Sequence, residues 1–475
     1  MYEGESFSRQ IYRQEESRKK KRKKIGRRIL AGIMTVALIS GSIVLTERLL
    51  LTNVLAAPKQ GMESMKPEVV NTFTEAISDQ LLFQETEIIE LAAEENGIPV
   101  VMIDPGHGGE DEGCARDGIK EKDINLAIAK LVQGKLEMLG FQVIMVRADD
   151  TYIAKEDRVK FANESRADIY VSIHQNASED ISVSGMEVWY EGEDGSRDNK
   201  RLAQLIQQQT IENTGARERE LRGDADFHVT GKTTMPACLI ETGFLSNAKE
   251  RENLTAAEYQ EKIAEGIAQG IELYFHPKTM YLTFDDGPSV ENTNRVLDVL
   301  KEREMKATFF LVGENVRKHP EVVQRIVAEG HSIGIHCDNH DYKTVYASVD
   351  SYIQDFEAAH QTVYDLTGID VKIFRFPGGS INDFNAGVRE EIIQEMTERG
   401  YTYFDWNASL EDSVREAEPE VLIANGVGTT LGRKKVVMLA HDVIYNTGIC
   451  LEELLDRLPE YEIRPITDDV EPIQF

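Results

Sequence analysis

Two regions of the 475-residue sequence gather residue types that hold metal ions and move protons. In "YLTFDDGP", residues 281–288, an apolar run ends in Asp285 and Asp286 before Gly287 and Pro288 turn the chain. Two carboxylates about 4 Å apart repel by roughly 4 kcal/mol at an effective dielectric of about 20, so a bound cation is the expected compensation. "GHSIGIHCDNH", residues 330–340, supplies His336 and His340, four apart and on one face if the segment makes a helical turn. Imidazole suits zinc and its neighbours. Asp286, His336 and His340 then make a three-ligand site with room for water, and Asp285 stands beside that water as a base. The competing reading of Asp-Asp-Gly is an Asx turn closing a strand.

The second gathering is spread over 135 residues. His107 follows the apolar run of "IPVVMIDPGHGG", and Glu121 precedes a helical stretch at 123–139. His174 ends a strand in "VSIHQNA", and Glu241 ends "PACLIETGF". A hydrolytic zinc site needs three protein ligands and one open position, and four polar groups at the ends of separate elements can converge on one point. Taken singly, each has a plainer role: a histidine after a strand is usually hydrogen-bonded structure, and Glu121 suits a helix N-terminus.

The elements that must position these groups read as α/β. From Ile98 to Phe275, short apolar runs such as "FQVIMVR" and "ADIYVSIHQNA" alternate with amphipathic stretches such as "DINLAIAKLVQGKLEML". This pattern predicts an N-terminal α/β domain with a largely parallel sheet. A second run begins near Lys278. "MYLTF", "ATFFLVG", "SIGIH", "KIFRF", "YTYFDW" and "VVMLAHD" read as strands, with helices in "NTNRVLDVLKERE", "PEVVQRIVAEG" and "EEIIQEMTERG". Strands ending in polar residues with intervening helices predict a distorted (β/α) barrel whose site lies at the strand C-termini. Only "HPK", 276–278, joins the two runs, so the domains should abut.

Composition places the domains. The net charge of −30 argues against nucleic acid as a partner. Residues 1–28 run against that balance with 11 Lys or Arg and 4 Asp or Glu. The next 17 residues, Ile29–Leu45, carry no charge and span about 26 Å as a helix. The expected organisation is a cytoplasmic basic segment (1–28), a transmembrane anchor or signal peptide (29–51), an acidic stalk (52–97) and two catalytic domains (98–276 and 277–475) outside the cytoplasm. A single-pass anchor is favoured over a cleaved signal peptide, for which "VLAAP" offers small residues; cleavage would make the protein secreted. Cys114, Cys238, Cys337 and Cys450 form no CxxC pair and no disulfide scaffold.

Taken together, "MIDPGHGGEDEG", "EKDINLAIA", "DRVKFAN", "ADIYVSIHQNA" and "MPACLIETGFLSN" resemble the zinc N-acetylmuramoyl-L-alanine amidase family of the amidase 3 type over about 100–275. The resemblance implies that His107, Glu121 and His174 bind Zn2+ and that Glu241 is the catalytic acid/base. Cys114 and Cys238 stand where the family has small residues. "TFDDGP", "GHSIGIHCDNH", "RFPGGS", "YFDWN" and "VVMLAHD" resemble, in order, the five motifs of the polysaccharide deacetylase family (NodB-like, carbohydrate esterase family 4) over about 278–475. This second resemblance implies Asp285 as general base and His441 as general acid. Asp286, His336 and His340 would be ligands of a divalent metal, Zn2+ by preference. Arg375 and Asp405 would orient the base and the acid, and Trp406 would line the site. A backbone N–H near Gly378 would hold the oxyanion. Two departures stand out: Cys337 lies between the metal histidines in place of Ser or Thr, and "RFPGG" leaves no Tyr side chain at Gly378. The function expected is a bifunctional peptidoglycan hydrolase without a nucleotide cofactor, deacetylating N-acetylglucosamine in preference to N-acetylmuramic acid. The alternative is a wall-binding scaffold with one or both sites inactive.

Overall fold

A computed structural model describes residues 97–192, 195–223, 228–413 and 417–475. The expected basic segment, anchor and all but the last residue of the stalk lie outside the described residues. Among the described residues no helix is long and apolar enough to cross a membrane.

The first domain contains β1 (Val100–Pro105), a hairpin of β2 (Ala115–Arg116) and β3 (Ile119–Lys120), β4 (Gln142–Met145), β5 (Ile169–Asn176), β6 (Glu187–Tyr190), β7 (Arg222–Gly223) and β8 (Ala237–Phe244). Its sheet runs β4-β1-β5-β8-β6-β7. The β4, β1, β5 and β8 strands are parallel, and β6 joins β8 antiparallel. The central strands are near-continuous apolar runs because helices cover both faces. Val101, Ile103, Val171, Ile173, Cys238 and Ile240 pack under helices 121–139, 199–214 and 257–275. Val100, Met102, Tyr170, Ala237 and Leu239 pack on the opposite face with Val159, Ala162 and Val229. Alternation along each strand therefore sends His174, Glu187 and Glu241 to the same side as Leu239.

The second domain holds β9 (Lys278–Asp285), β10 (Thr308–Val312), β11 (Ser332–Cys337), β12 (Ile373–Phe374), β13 (Thr402–Tyr403), β14 (Ala408–Ser409), β15 (Lys435–His441) and β16 (Tyr461–Arg464). The order is β13-β12-β11-β10-β9-β15-β14, with β10 along the end of β9 and β16 along its start. All six expected strands are present and parallel; β14 and β16 were not anticipated. The barrel is open: β13 and β14 do not pair with each other. Instead the last residues lie across this gap, with Asp405 N–H on the Ile473 carbonyl (2.8 Å), Gln474 Nε2–H on the Tyr403 carbonyl (3.1 Å) and Phe475 N–H on Asp405 Oδ2 (3.1 Å).

Both domains belong to one compact unit, and they abut as the short linker requires. Gln204 Nε2–H of the first domain donates to the Asp456 carbonyl of the second at 3.3 Å. Arg201 reaches from helix 199–214 to the carbonyls of Pro459, Tyr274 and Leu273 at 3.1–3.2 Å. All four cysteines are free.

Two candidate metal-hydrolase sites

In the first domain the site forms where β1, β5 and β8 end. His174 on β5 is in register with Glu241 on β8, which is in register with Glu187 on β6. Three side chains thus line one edge side by side. His107 arrives on the loop after β1 at φ 62°, a left-handed conformation that costs a non-glycine residue energy and persists only where the surroundings enforce it. Two buried guanidinium groups do so. Arg147 donates to the carbonyls of Pro105 and Gly106, both at 2.9 Å. Arg158 donates to the His107 carbonyl at 2.7 Å while paired with buried Asp104.

Glu121 Oε1 lies 3.2 Å from His107 Nε2 and 2.9 Å from His174 Nδ1. Glu121 Oε2 accepts the Cys114 N–H at 2.8 Å. Burial alone would raise the Glu121 pKa, but hydrogen bonds and charge from the two imidazoles outweigh it and hold the carboxylate far below its usual range. Asp111 Oδ2 engages His107 Nδ1 at 2.8 Å, which leaves Nε2 for the shared point. A carboxylate behind a ligand imidazole is the usual second partner in metal sites. Donor atoms of His107, Glu121 and His174 all lie within 4.8 Å of one another, and this donor set suits zinc. Glu241 completes the group. Its Oε2 is shut away from solvent with no hydrogen-bond partner. Burial, then the charges of Glu121 and Glu187, push its carboxyl well above the normal range. Glu187 was not anticipated; it is buried and accepts from Asn176 and Arg219. Its only sequence signal was alternation on β6. Cys238 is core, and Cys114 serves through its backbone.

In the second domain the parallel register sets His441 at the end of β15 beside Asp285 at the end of β9. Arg375, fully buried between the rings of Phe310 (4.4 Å) and Trp406 (5.6 Å), donates to Asp285 Oδ1 at 2.8 Å and to Thr283 Oγ1 at 2.7 Å. The guanidinium holds Asp285 in place and offsets its burial. Asp286 takes φ 74°, which swings its carboxylate away from Asp285. Its Oδ1 lies 3.3 Å from His336 Nε2 and 3.2 Å from His340 Nε2, and is buried without a hydrogen bond of normal geometry. His336 Nδ1–H donates to the Arg375 carbonyl at 2.9 Å, leaving Nε2 for the site. Donor atoms of Asp286, His336 and His340 fall within 4.8 Å of one another, and an orphaned carboxylate oxygen between two imidazoles fits a divalent ion. The Asx-turn reading does not account for that oxygen.

Two expectations need correction. His336 and His340 do not share a helical turn. His336 ends β11, and His340 is brought back by a loop in which it adopts φ 56°. Nor does Asp405 orient His441. Asp405 accepts from Ser380 N–H (2.9 Å), Ser380 Oγ and Phe475 N–H, bracing the loop around Gly378. The orienting carboxylate is Asp412, whose Oδ1 meets His441 Nδ1 at 2.7 Å and whose Oδ2 accepts the His441 N–H and Thr447 Oγ1. Burial would lower the His441 pKa; the Asp412 hydrogen bond and the Asp412, Asp285 and Asp286 charges outweigh it and raise it to about 9. Trp406 is half-buried against Gly379 and Arg375. Gly378 has φ 73°, and a Cβ there would stand 3.1 Å from Tyr342 Oη. Tyr342 therefore fills the space that a larger residue at 378 would need. Gly379 N–H closes a turn onto the Phe376 carbonyl, while no hydrogen bond among the described residues engages the Gly378 N–H. His331, read as a brace, accepts the Ala307 N–H at 3.1 Å.

Fold and sites together point to a hydrolase with two separate candidate metal sites, each of two imidazoles and one carboxylate. Comparisons with known proteins agree. The N-acetylmuramoyl-L-alanine amidase family profile matches residues 101–273, and the polysaccharide deacetylase profile matches residues 274–404. The germination-specific N-acetylmuramoyl-L-alanine amidase of Bacillus subtilis is 36% identical over 38% of this chain and 81% of its own length. The amidase LytC of the same organism is 38% identical over 37% of this chain, which spans only 35% of LytC. Peptidoglycan-N-acetylglucosamine deacetylase of Bacillus cereus is 31% identical over 42% of this chain and 73% of its own length. The chain belongs to both families, an amidase 3 domain fused to a polysaccharide deacetylase domain, and is a peptidoglycan-remodelling hydrolase of C–N bonds.

Proposed function

We propose that both sites are active and that the chain performs two reactions on peptidoglycan. The first is cleavage of the amide joining the lactyl group of muramic acid to L-alanine, with Zn2+ held by His107, Glu121 and His174. The second is N-deacetylation of an amino sugar, N-acetylglucosamine in preference to N-acetylmuramic acid, with a divalent metal, Zn2+ by preference, held by Asp286, His336 and His340. The observation that carries this reading is that each donor set has a further carboxylate beside it, Glu241 in one and Asp285 in the other.

When bound, the metal polarises the carbonyl under attack and acidifies a water. Glu241 accepts a proton from the attacking water and returns it to the departing amine. Asp285, held by Arg375, accepts the proton in the second site. His441, kept protonated by Asp412, gives one to the sugar amine. The Gly378 N–H donates to the carbonyl oxygen as charge develops there. The basic segment 1–28 and the uncharged stretch after it support a single-pass anchor with both domains outside the cytoplasm.

Mass spectrometry of muramidase-released fragments tests the reading, after treating purified peptidoglycan with the full chain or its variants. Glu241→Gln is expected to abolish peptide release and spare acetate release, and Asp285→Asn the reverse. Wild-type protein that performs only one reaction would show the other site to be inactive.

A further inference from the structure

We propose that Ile381 and Phe384, backed by Tyr342, form a stacking platform for the sugar next to the one deacetylated. The proposal rests on the glycan-deacetylase reading of the second site and extends it to the polymer around the reacting residue. Ile381 is 62% exposed and Phe384 49% exposed. A single exposed apolar side chain needs no explanation, but these two project from one loop whose backbone is tied down on either side of each. Asn382 donates to the carbonyls of Pro377 and Gly379 and accepts from Phe384 N–H and Asn385 N–H. Fully buried Asn385 donates to the carbonyls of Gly379 and Ser380. Ser380 is bound in turn to Asp405. The fold thus spends buried polar groups on holding apolar side chains out in solvent, a preorganised binding surface.

The platform runs straight into the metal site. The Phe384 ring meets Tyr342 edge-on at 5.3 Å, and Tyr342 meets the His340 imidazole at 5.1 Å. Tyr342 also leans over Gly378, the residue proposed to donate to the oxyanion. In this arrangement the neighbouring residue of a glycan presented to the metal lies along this rim. The C–H face of a pyranose ring matches an aromatic and aliphatic surface, and Asp383, exposed and between the two in sequence, offers an acceptor for sugar hydroxyls. Both apolar groups are outside the core, so truncating them leaves the fold intact.

Steady-state kinetics of the metal-loaded full chain on peptide-free glycan strands and on 4-nitrophenyl acetate tests the proposal, because the ester needs the metal site but no second sugar. Phe384→Ala and the pair Ile381→Ser with Phe384→Ala are expected to raise KM for glycan by about tenfold with kcat within twofold. Phe384→Trp is expected to keep the wild-type KM, and ester cleavage to stay within twofold throughout. Unchanged glycan KM, or equal losses on both substrates, would overturn the platform while leaving the deacetylase reading in place. Wild-type protein that cleaves the ester but releases no acetate from glycan would overturn the reading and the platform with it.

Discussion

At the scale of single residues, the chemistry depends on which carboxylate faces which imidazole. Asp405 lies in a conspicuous "YFDW" run, yet it braces a loop, while Asp412 in the unremarked "SLEDS" holds the acid. Nothing local distinguishes the two, since each follows a short strand and the choice is made by β15 lying beside β14. Removing the Asp412 carboxylate takes away the hydrogen bond and charge that keep His441 protonated, so the His441 pKa must fall. Asp412→Asn is expected to move the alkaline limb of the deacetylase kcat/KM profile to lower pH and to reduce kcat by about 100-fold. A pH–rate profile with the wild-type alkaline limb would show that another group orients the acid. The three left-handed candidate ligands, His107, Asp286 and His340, were legible as residue types but not as conformations. The His107 backbone is enforced by Arg147 and Arg158, and the Asp286 carbonyl is held by Asn315 Nδ2–H at 2.8 Å.

Elements matter through their ends. Parallel strands all deliver their C-terminal residues to one edge, so His107, His174 and Glu241 and the Asp285–His441 pair gather without any long-range motif, while Glu121 comes in on the first turn of helix 121–139. Helical and strand periodicity foretold this, and the six strands expected in the second domain are present. The two short strands β14 and β16 were not legible, because two to four half-exposed residues carry little periodic signal. Gly106 shows how tightly an element end is fitted. A Cβ there would stand 2.1 Å from Cε1 and 2.2 Å from Nε2 of His174, so even a methyl group displaces the ligand ring. Gly106→Ala is expected to lower the metal content of the purified protein from two ions per chain to one, read by elemental mass spectrometry, with deacetylase activity unchanged. Retention of two ions would place His174 outside the ligand set.

For the whole molecule, the short linker sets the domains against each other, and Arg201 ties them together at the end of helix 257–275. Its guanidinium satisfies three backbone carbonyls and stacks on Tyr274 at 5.1 Å. Arg201→Ala leaves those acceptors unmet, at a cost of about 1–3 kcal/mol. Calorimetry is expected to show a lower first melting transition with both activities retained. Lys200→Ala, which removes a 3.3 Å surface pair with Asp456, is expected to change stability by less than about 1 kcal/mol. Equal melting of wild type and Arg201→Ala would mean that the junction contributes nothing to stability.

The amino-acid sequence by itself determined the two α/β domains, their order and the residue types of both metal sites. Those features are written in local periodicity, in strand-ending His and Asp residues, and in runs of motif that keep their order. Only the tertiary structure decided that the second barrel is open and closed over by the last residues of the chain. It alone replaced Asp405 by Asp412, brought Glu187 beside Glu241, and set Tyr342 and Phe384 along the rim of the deacetylase site. These are pairings between segments tens of residues apart, set by strand register and by loops held on buried polar groups, and no local pattern records them.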